Sequence, residues 1–411
     1  MRKTTVKGTR DYLPQETALR DALQARILEV YRRCGFERMQ TPALESIENL
    51  EKSEGGENLG LLFRILKRGD KLETALKAGQ AAGLCDIGLR YDLTLPLCRF
   101  YANNRSRLLL PFKCIQLDRV YRAEQPQRGR DREFVQCDID ILGDASSLAE
   151  IELMDVTAQA LLAVGLRDFT IRVNDRRLLL AMLRALGFAE DSLHTTCMAV
   201  DKLDKLGAEG VRKELLDRLA DPDATAGLCA LLAQGPVTLE HVAACAGAPD
   251  CAERLTGVLR AVSAAAEGRY AVRFDWSLVR GQGYYTGTVF EIECGGGIGS
   301  LGGGGRYDGL IGKFTGEPTP AVGFSIGFER LYTLFVERGL TLPSERSKVA
   351  LLYEGEDYAA VRDAAERLRQ THDVTLFAKP KKLGRFLNTL AEKGFEGFVI
   401  CGERDVRPLH C

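Results

Sequence analysis

The sequence predicts an α+β protein in which paired strands and helices occupy separate stretches of the chain, followed by a small α/β segment. Residues 134–141 alternate strictly between apolar and polar side chains, which is typical of a strand with one face in a core. Residues 168–267 change to a mostly helical pattern, and residues 346–411 follow the order strand, helix, strand, helix, strand. These three observations predict a sheet-containing core, a helical insertion and a separate terminal domain.

The composition is ordinary for a globular protein: 411 residues, of which 45% are hydrophobic and 27% charged, suffice for two or three domains. No run of about 18 apolar residues occurs and the N-terminal stretch lacks a hydrophobic signal region, so we expect a cytoplasmic protein without a membrane partner. The 12 cysteines form no Cys-x-x-Cys pair, and with 4 histidines neither a zinc site nor a disulfide framework is expected. A net charge of −1 excludes a general polycation but not local contacts with RNA.

The first predicted element is a helix over residues 15–34. Leu19 and Leu23 belong to a series of apolar residues at helical spacing, and Gly35 is placed to end the helix. A strand interrupted at Pro42 follows. The pattern fits an amphipathic helix on the core of a monomer.

Residues 88–95 predict a strand that is closed by Pro96. One face of this strand carries Arg90, Asp92 and Thr94. A carboxylate and a hydroxyl on one face suit the three donors of an ammonium group. The same pattern also fits a surface ion pair between Arg90 and Asp92, so both interpretations stay open.

Residues 111–142 predict two paired strands joined by a loop rich in arginine. The first strand ends at Arg122, and the loop contains Arg130. Guanidinium groups bind phosphate or carboxylate oxygens in a bidentate way, so these two arginines can clamp a polyphosphate. A solvated hairpin tip is the alternative.

The second strand of this pair carries Gln136, Asp138 and Asp140 on the face opposite the core. For an isolated strand, simple exposure to solvent is the less demanding interpretation. The arginines of the preceding strand and loop favour instead a site for a ligand that carries an anion.

Gly297, Gly299 and Gly302 satisfy the pattern G-x-G-x-x-G, which by itself suggests a dinucleotide-binding turn. That interpretation is rejected, because the glycines lead into RYDGL rather than into a helix. Close approach of the backbone to a ligand or a flexible loop between strands are the two remaining interpretations.

Residues 321–327 predict a strand of small residues, after which a helix begins with Arg330 in its first turn. A cation at this place opposes the helix dipole. A bound anion shared by the guanidinium and the helix N-terminus would rationalise the arrangement.

Six stretches in this order resemble the histidyl-tRNA synthetases, a family of class II aminoacyl-tRNA synthetases. They are KGTRDYLP at 7–14, LRYDLTLPLCRF at 89–100, RAEQPQRGRDREFVQCDIDILG at 122–143, VRGQGYYTGTVFE at 279–291, GGRYDGL at 304–310 and AVGFSIGFERL at 321–331. The resemblance implies a class II catalytic core, an antiparallel sheet flanked by helices. It implies core segments at 1–167 and 268–342, a helical insertion at 168–267 that approaches the tRNA acceptor stem, and an anticodon-binding-like domain at 346–411.

The resemblance also implies the activity and the partners. A histidine–tRNA ligase activates L-histidine with ATP and Mg²⁺, releases pyrophosphate and transfers histidine to the 3′ end of its tRNA. The helix and strand before Pro42 resemble the first class II motif, which lies on the axis of a homodimer. The terminal domain is shorter than the family's anticodon-binding domain, so the resemblance leaves open whether this domain contacts an anticodon.

The resemblance assigns roles to residues of one site. Arg122 and Arg280 are implied to be catalytic, with Arg122 bridging the histidine carboxylate and the α-phosphate. Arg130 and Arg330 are implied to hold the outer phosphates of ATP, and Glu124 to help position the arginine-rich loop or a magnesium ion. The implied histidine-binding residues are Asp92, Thr94, Arg122, Gln136, Asp140, Arg280, Tyr284, Tyr285 and Tyr307. Among them Asp92, Thr94 and Gln136 hold the α-ammonium, and Asp140 and Tyr285 bracket the imidazole.

One departure lies within the histidine-specific stretch. Family members more often read Arg-Gly-Leu-Asp-Tyr-Tyr, whereas this chain reads Arg280, Gly281, Gln282, Gly283, Tyr284, Tyr285. Gly283 therefore removes a carboxylate near the pocket. This departure and the short terminal domain also fit a regulatory subunit of ATP phosphoribosyltransferase, a histidine-sensing relative of the family. The complete set of arginines favours the ligase, because a sensor needs no ATP clamp.

Overall fold

The computed structural model describes residues 3–52, 58–79, 81–219, 221–235, 237–280, 283–295, 299–340, 342, 346–355 and 358–409. The chain divides into two compact units. The first comprises Met1–Arg10 and Leu23–Leu340, and the second comprises Asp11–Ala22 and Thr341–Cys411. No helix among the described residues is both long enough and apolar enough to cross a membrane.

Fifteen strands are found in the described residues. In chain order they are β1 Glu37–Arg38, β2 Leu44–Ser46, β3 Phe63–Leu66, β4 Cys85–Leu89, β5 Phe112–Tyr121, β6 Glu133–Leu142, β7 Phe169–Asp175, β8 Ala271–Phe274, β9 Thr288–Cys294, β10 Ser300–Arg306, β11 Ala321–Gly327, β12 Ser347–Tyr353, β13 His372–Ala378, β14 Gly397–Ile400 and β15 Arg407–Pro408.

Fifteen α-helices accompany the strands in the same described residues. They are α1 Pro14–Arg33, α2 Ile47–Lys52, α3 Asp70–Lys77, α4 Thr94–Asn104, α5 Leu148–Ala163, α6 Arg176–Ala185, α7 Leu193–Val200, α8 Leu203–Leu219, α9 Pro222–Ala233, α10 Leu239–Ala246, α11 Pro249–Ala266, α12 Asp308–Thr315, α13 Phe328–Glu337, α14 Tyr358–Arg369 and α15 Leu383–Glu392.

The first unit is built on an eight-stranded sheet with the order β1-β5-β6-β11-β10-β9-β7-β8. The five central pairings, from β5 to β7, are antiparallel, and only the outer pairs β1–β5 and β7–β8 are parallel. Helices α5 and α13 pack on the central strands, and α11 packs against β7. This mostly antiparallel sheet flanked by helices confirms the predicted fold class.

The hairpin of β5 and β6 confirms the strand pair predicted over residues 111–142. Its register pairs Phe112 with Leu142 and Tyr121 with Glu133, so Arg122 follows directly after the first strand. The apolar face of β6 is fully buried, as expected from the alternation of apolar residues. The predicted first helix is likewise confirmed by α1, and β1 and β2 lie on either side of Pro42.

The strand β7 corrects one detail of the sequence analysis, which places it at the start of the helical insertion. β7 pairs with β9 along its whole length and is therefore part of the main sheet. The helices begin after it, at Arg176, where the Asp175 carboxylate accepts a hydrogen bond from the Arg177 N–H and caps α6. Helices α6 to α11 then follow, with no strand between them in the described residues of this stretch. The domain limits drawn from the sequence stay predictions.

The second unit contains a four-stranded sheet with the order β13-β12-β14-β15. Strand β12 runs parallel to β13 and to β14, with α14 and α15 as the connecting helices. The predicted alternation of strands and helices is confirmed, and the structure adds the short antiparallel strand β15.

Candidate active site

A cavity of about 780 Å³ lies in the first unit, against β6, β9, β10 and β11. All twelve site residues proposed from the sequence line it. They are Asp92, Thr94, Arg122, Glu124, Arg130, Gln136, Asp140, Arg280, Tyr284, Tyr285, Tyr307 and Arg330. Their proximity is a finding, whereas their individual roles stay predictions. Gly281, Gln282 and Gly297 lie outside the described residues.

The segment that carries Asp92 and Thr94 is not the strand that the alternation predicts. Strand β4 ends at Leu89, and α4 begins at Thr94, so Pro96 lies in the first turn of a helix, where its missing N–H costs no hydrogen bond. One Asp92 oxygen accepts a hydrogen bond from the Leu95 N–H at 3.1 Å. The other Asp92 oxygen is buried and has no hydrogen-bond partner among the described residues.

The predicted alternative, a surface pair between Arg90 and Asp92, is wrong. The Arg90 side chain is only 2% exposed and forms an ion pair with Asp118, with the two charged atoms 3.0 Å apart. Arg90 also donates to the carbonyl oxygens of Thr41 and Arg119, at 2.6 and 2.9 Å. These partners fix the backbone just before Asp92 and leave that carboxylate to the cavity.

The polar face of β6 forms part of the cavity wall. Gln136, Asp138 and Asp140 are 9%, 4% and 3% exposed, so the simple interpretation of a solvated strand face is wrong. Each of the three side chains has one buried oxygen without a hydrogen-bond partner among the described residues: Gln136 Oε1, Asp138 Oδ1 and Asp140 Oδ2. Because buried polar atoms are nearly always paired in proteins, three unpaired acceptors on one strand indicate a ligand that carries donors.

Burial perturbs the ionisation of these carboxyl groups. It raises the pKa of Asp140 to about 7, against the lowering effect of the Tyr307 hydroxyl, which donates to this carboxyl at 2.7 Å. Burial also raises the pKa of Asp92 and lifts the pKa of Asp138 well above its ordinary value, an effect that the charge of Asp140 reinforces. Burial destabilises the anionic forms of these three carboxyl groups. A ligand that brings a positive charge or N–H donors would stabilise those forms, so the cavity suits such a ligand.

Three tyrosines form an aromatic wall beside the carboxyl groups. The rings of Tyr284 and Tyr285 are 4.8 Å apart, and the rings of Tyr284 and Tyr307 are 6.0 Å apart. The Tyr284 hydroxyl is hydrogen-bonded to Thr94, and burial raises its pKa well above the ordinary value. The rings give this wall an apolar surface, and their hydroxyl groups add hydrogen-bonding partners. A site that binds a small polar ring requires both. Gly283, which precedes Tyr284 in the chain, is half-buried.

Arginines gather in another part of the same cavity. Arg122 donates from Nε to the Tyr91 carbonyl oxygen at 3.0 Å, and its guanidinium group lies 5.0 Å from the centre of the Phe134 ring. Arg130 forms an antiparallel backbone bridge with Gln127, and its Nη1 lies 3.7 Å from Oε2 of Glu124. The loop thus has internal order and carries its cations to the cavity wall.

Arg330 forms no ion pair within 4 Å in the part of the chain that the structure describes. Burial and the positive charges of Arg130 and Arg280 together lower its pKa to about 10, against the raising effect of Glu291 and Glu124. Arg330 donates to the Ser300 carbonyl oxygen and stands in the first turn of α13, as predicted. The surplus of positive charge at a helix N-terminus is the environment in which an anion binds.

Arg280 is held by a carboxylate and by an unusual backbone. Its φ angle is +62°, in the left-handed region that favours glycine, and its Nη1 donates to Glu291 at 2.7 Å. Burial alone lowers the pKa of the guanidinium group, but the charge of Glu291 raises it above the ordinary value. Arg280 is therefore charged and fixed in direction.

The glycines of β10 make room for this arginine. A Cβ atom at Gly303 would lie 2.5 Å from Arg280 Nη1, and one at Gly304 would lie 1.9 Å from the Gly323 carbonyl oxygen. The flexible-loop interpretation is wrong for Gly302 and its neighbours, because they form a buried strand paired on both sides. Close backbone approach is correct for these positions.

Several cavity residues received no role in the sequence analysis. Asp138 and Ser325 face each other across the β6–β11 ladder, and Glu291 lies on β9. The spacing of two placed Asp138 on the polar face with Gln136 and Asp140, but it was given no role of its own. Asp201 and Lys205 reach the cavity from the helical segment, and no local pattern in the sequence marks them.

The mostly antiparallel sheet carries a hairpin whose loop bears arginines. The cavity also contains Asp92, which accepts a hydrogen bond at the start of α4, and Arg330, at the N-terminus of α13. This combination defines the catalytic core of a class II aminoacyl-tRNA synthetase. The family model described as histidyl-tRNA synthetase matches residues 8–331. The chain belongs to the histidyl-tRNA synthetase family, as the sequence analysis predicts.

Relatives and solved structures agree with this assignment. The chain is 44% identical over 417 residues to a histidine–tRNA ligase of Leifsonia xyli subsp. xyli, covering 97% of this chain and 95% of the relative. It is 35% identical over 418 residues to a histidine–tRNA ligase of Rhodopirellula baltica, covering 97% and 90%. The crystal structure of histidyl-tRNA synthetase from Nostoc sp. PCC 7120 has a TM-score of 0.78 at 26% identity and covers 97% of this chain and 91% of that one.

The regulatory alternative is not supported by these comparisons. A Bacillus halodurans C structure described as an ATP phosphoribosyltransferase regulatory subunit/histidyl-tRNA synthetase has a TM-score of 0.77, with 98% of each chain covered. At 21% identity this likeness shows the fold alone. The relatives of higher identity described above are named ligases.

Proposed function

We propose that this chain is a histidine–tRNA ligase whose cavity binds L-histidine beside ATP. The enzyme forms histidyl-adenylate and pyrophosphate and then transfers histidine to the 3′ end of its tRNA. The family assignment supports this proposal. The observation that carries it is the division of one cavity into a part with unpaired buried oxygens and a part with arginines.

The unpaired oxygens match the donors of histidine. An α-ammonium group has three N–H donors, which Asp92, Thr94 and Gln136 accept. The free Asp140 oxygen accepts from one imidazole nitrogen, and the Tyr285 hydroxyl meets the other. A site that binds both ring nitrogens rejects amino acids that lack them, because its buried polar groups would then be left unpaired. Tyr284 and Tyr307 close the pocket around the ring.

The arginines match the anions of the activation step. The histidine carboxylate attacks the α-phosphorus of ATP in line, a carboxylate oxygen–phosphorus bond forms, and the bond to the pyrophosphate oxygen breaks. Arg122 bridges the carboxylate and the α-phosphate, and Arg280 lies beside the reacting phosphate because Glu291 fixes its direction. Arg130 and Arg330 hold the outer phosphates. Proximity and charge thus suffice, and no enzyme nucleophile takes part.

Magnesium accompanies ATP in this proposal. Mg²⁺ bound to a nucleotide keeps phosphate and water ligands and needs only one or two protein carboxylates. Glu124 lines the cavity next to Arg130 and can supply one. Among the described residues no group of three or more His, Cys, Asp or Glu side chains could hold a metal by itself. The ion would neutralise charge on the leaving pyrophosphate.

The remaining partners follow from the family. The helical segment touches the cavity through Asp201 and Lys205, which supports an approach of this segment to the acceptor end of tRNA. The domain at 346–411 is the candidate for an anticodon contact. A homodimer built around α1 and the strands beside Pro42, and a cytoplasmic location, complete the proposal.

Exchange of labelled pyrophosphate into ATP tests the activation step without tRNA. We expect exchange with histidine alone among the amino acids, and a loss of at least about 100-fold in the Arg280→Ala variant, because a partly buried charge that contacts the transition state is removed. Arg212→Ala is the matched control, since Arg212 is a surface residue paired with Glu209. Measurable histidine binding without any exchange would contradict the proposal.

A further inference from the structure

Ser325 is a cavity residue that neither the sequence motifs nor the reaction scheme has used. It stands in β11 directly opposite Asp138 of β6, and it lines the cavity. Side chains that face each other across an antiparallel ladder lie on the same side of the sheet, together with residues two positions along. Ser325, Asp138 and Gln136 therefore share one face.

Hydrogen bonds connect these three side chains in a row. Gln136 donates from Nε2 to the Ser325 hydroxyl oxygen at 3.0 Å. The Ser325 hydroxyl is in turn hydrogen-bonded to the Asp138 carboxyl group. Gln136 Oε1, at the other side of the amide, is buried and has no hydrogen-bond partner among the described residues.

The row has a defined direction when Asp138 is ionised, which is the state that a bound ammonium group favours. The hydrogen bond from Ser325 lowers the pKa of Asp138, which is the effect of a hydroxyl that donates to a carboxylate. When Asp138 is ionised, the Ser325 hydroxyl therefore gives it its single proton and keeps only lone pairs for Gln136. The Gln136 amide must then turn its NH₂ group toward Ser325. Its carbonyl oxygen consequently points away from Ser325. If the Gln136 amide were flipped, its carbonyl oxygen would face the Ser325 hydroxyl oxygen, and neither could donate to the other. Its NH₂ group would then face the ammonium group of the substrate, so that two donors would meet.

We propose that Ser325 and Asp138 are positioning residues, which orient the Gln136 amide so that its carbonyl oxygen accepts a hydrogen bond from the α-ammonium group of the amino-acid substrate. The inference rests on the proposed function, because it requires an amino acid in this cavity. Neither residue needs to touch the reacting atoms. Their effect is confined to the binding of the amino acid and does not extend to ATP.

The Ser325→Ala variant tests this inference in the pyrophosphate-exchange assay. Loss of one orienting hydrogen bond is expected to raise the KM for histidine by about 3- to 10-fold. The kcat and the KM for ATP are expected to stay within about two-fold of wild type, a split that general damage to the fold would not produce. Ser325→Thr keeps the hydroxyl and is expected to restore the wild-type KM. Ser192→Ala, which removes a hydroxyl of the helical segment, is the control.

A double substitution separates orientation from packing. Glutamate at position 136 carries oxygens on both sides of the side chain, so its orientation no longer matters. Adding Ser325→Ala to Gln136→Glu is therefore expected to change the KM for histidine by less than about two-fold. Asp138→Ala, which removes the acceptor at the far end of the row, gives the same rise in KM as Ser325→Ala and serves as the second variant if the latter does not fold.

Two results would overturn the inference: an unchanged KM for histidine in folded Ser325→Ala, or an equal fall in kcat and in affinity for both substrates. Both presuppose a wild-type enzyme that exchanges pyrophosphate with histidine. Failure of the wild-type enzyme to do so would refute the proposed function and not the orientation of Gln136 in particular.

Discussion

Replacing Asp140 by asparagine is expected to stabilise the fold at pH 8 while it abolishes histidine activation. Asp140 is 3% exposed and has a pKa of about 7, raised mainly by burial. An ionised carboxylate at this place costs free energy, which a neutral amide of the same shape avoids. The activity is lost because the single amide oxygen accepts from the Tyr307 hydroxyl, as Asp140 Oδ1 does, which leaves the NH₂ donors where the imidazole N–H needs an acceptor.

The size of the effect depends on pH in a defined direction. The folded pKa of Asp140 lies above the value near 4 of an unfolded chain, so the folded state binds the proton more tightly and its stability falls as pH rises from about 4 to 7. At pH 8 the ionised group costs up to about 4 kcal/mol, and from pH 5 to pH 8 the cost grows by roughly 2–3 kcal/mol. An unpaired amide donor in the variant offsets about 1–3 kcal/mol at every pH.

Thermal unfolding of the wild type and of Asp140→Asn, without substrates, measures this difference at pH 5, 6, 7 and 8. The variant is expected to gain several degrees relative to the wild type between pH 5 and pH 8. Asp217→Asn, at an exposed position of α8, provides the background response to removing a carboxylate. A difference between Asp140→Asn and wild type that is constant over this range, or that grows toward acid, would refute the reasoning.

Two further substitutions test the arginine part of the cavity and the glycine strand. Arg330→Ala is expected to raise the KM for ATP by about ten-fold or more, since a charge-assisted contact to phosphate is lost, and not to lower the melting temperature of the free enzyme, because crowding among cations is relieved. Gly304→Ala is expected to destabilise the protein by several kcal/mol or to prevent folding, because its methyl group would lie 1.9 Å from the Gly323 carbonyl oxygen; thermal unfolding measures this.

Each of these substitutions has a matched control. Arg338→Ala removes an arginine just beyond the other end of α13 and should leave the KM for ATP unchanged. Gly257→Ala lies within α11, where an added Cβ meets no atom within 4 Å, and should maintain or raise the melting temperature. An unchanged KM for ATP in Arg330→Ala, or a normal melting temperature in Gly304→Ala, would contradict the respective prediction.

The sequence predicted most of the fold because its strands and helices are locally consistent. The alternation of β6, the helical spacing of α1 and the small-residue strand before α13 are each visible within about ten residues. The membership of β7 in the main sheet was not visible, since its partner β9 is more than 100 residues away. Nothing in a local pattern reports such a pairing.

The site was predicted in composition but not in its local structure. The spacing of Leu89, Tyr91, Leu93 and Leu95 is that of a strand that Pro96 would end. In the structure Pro96 lies in the first turn of α4. Both sides of this segment are buried, so the alternation did not separate core from solvent. Likewise, a strand face of carboxylates gives the same pattern whether water or a ligand covers it.

The glycines of β10 also limit which mutations could make the enzyme resistant to an inhibitor. A compound packed against Gly303 and Gly304 would contact main-chain atoms, which every amino acid possesses. Any substitution there adds a Cβ atom that collides with the Arg280 guanidinium group or with the Gly323 carbonyl oxygen. Resistance would therefore have to arise elsewhere in the cavity, and the strand is the part of the site against which a drug can be built with the least risk of losing its contacts by mutation.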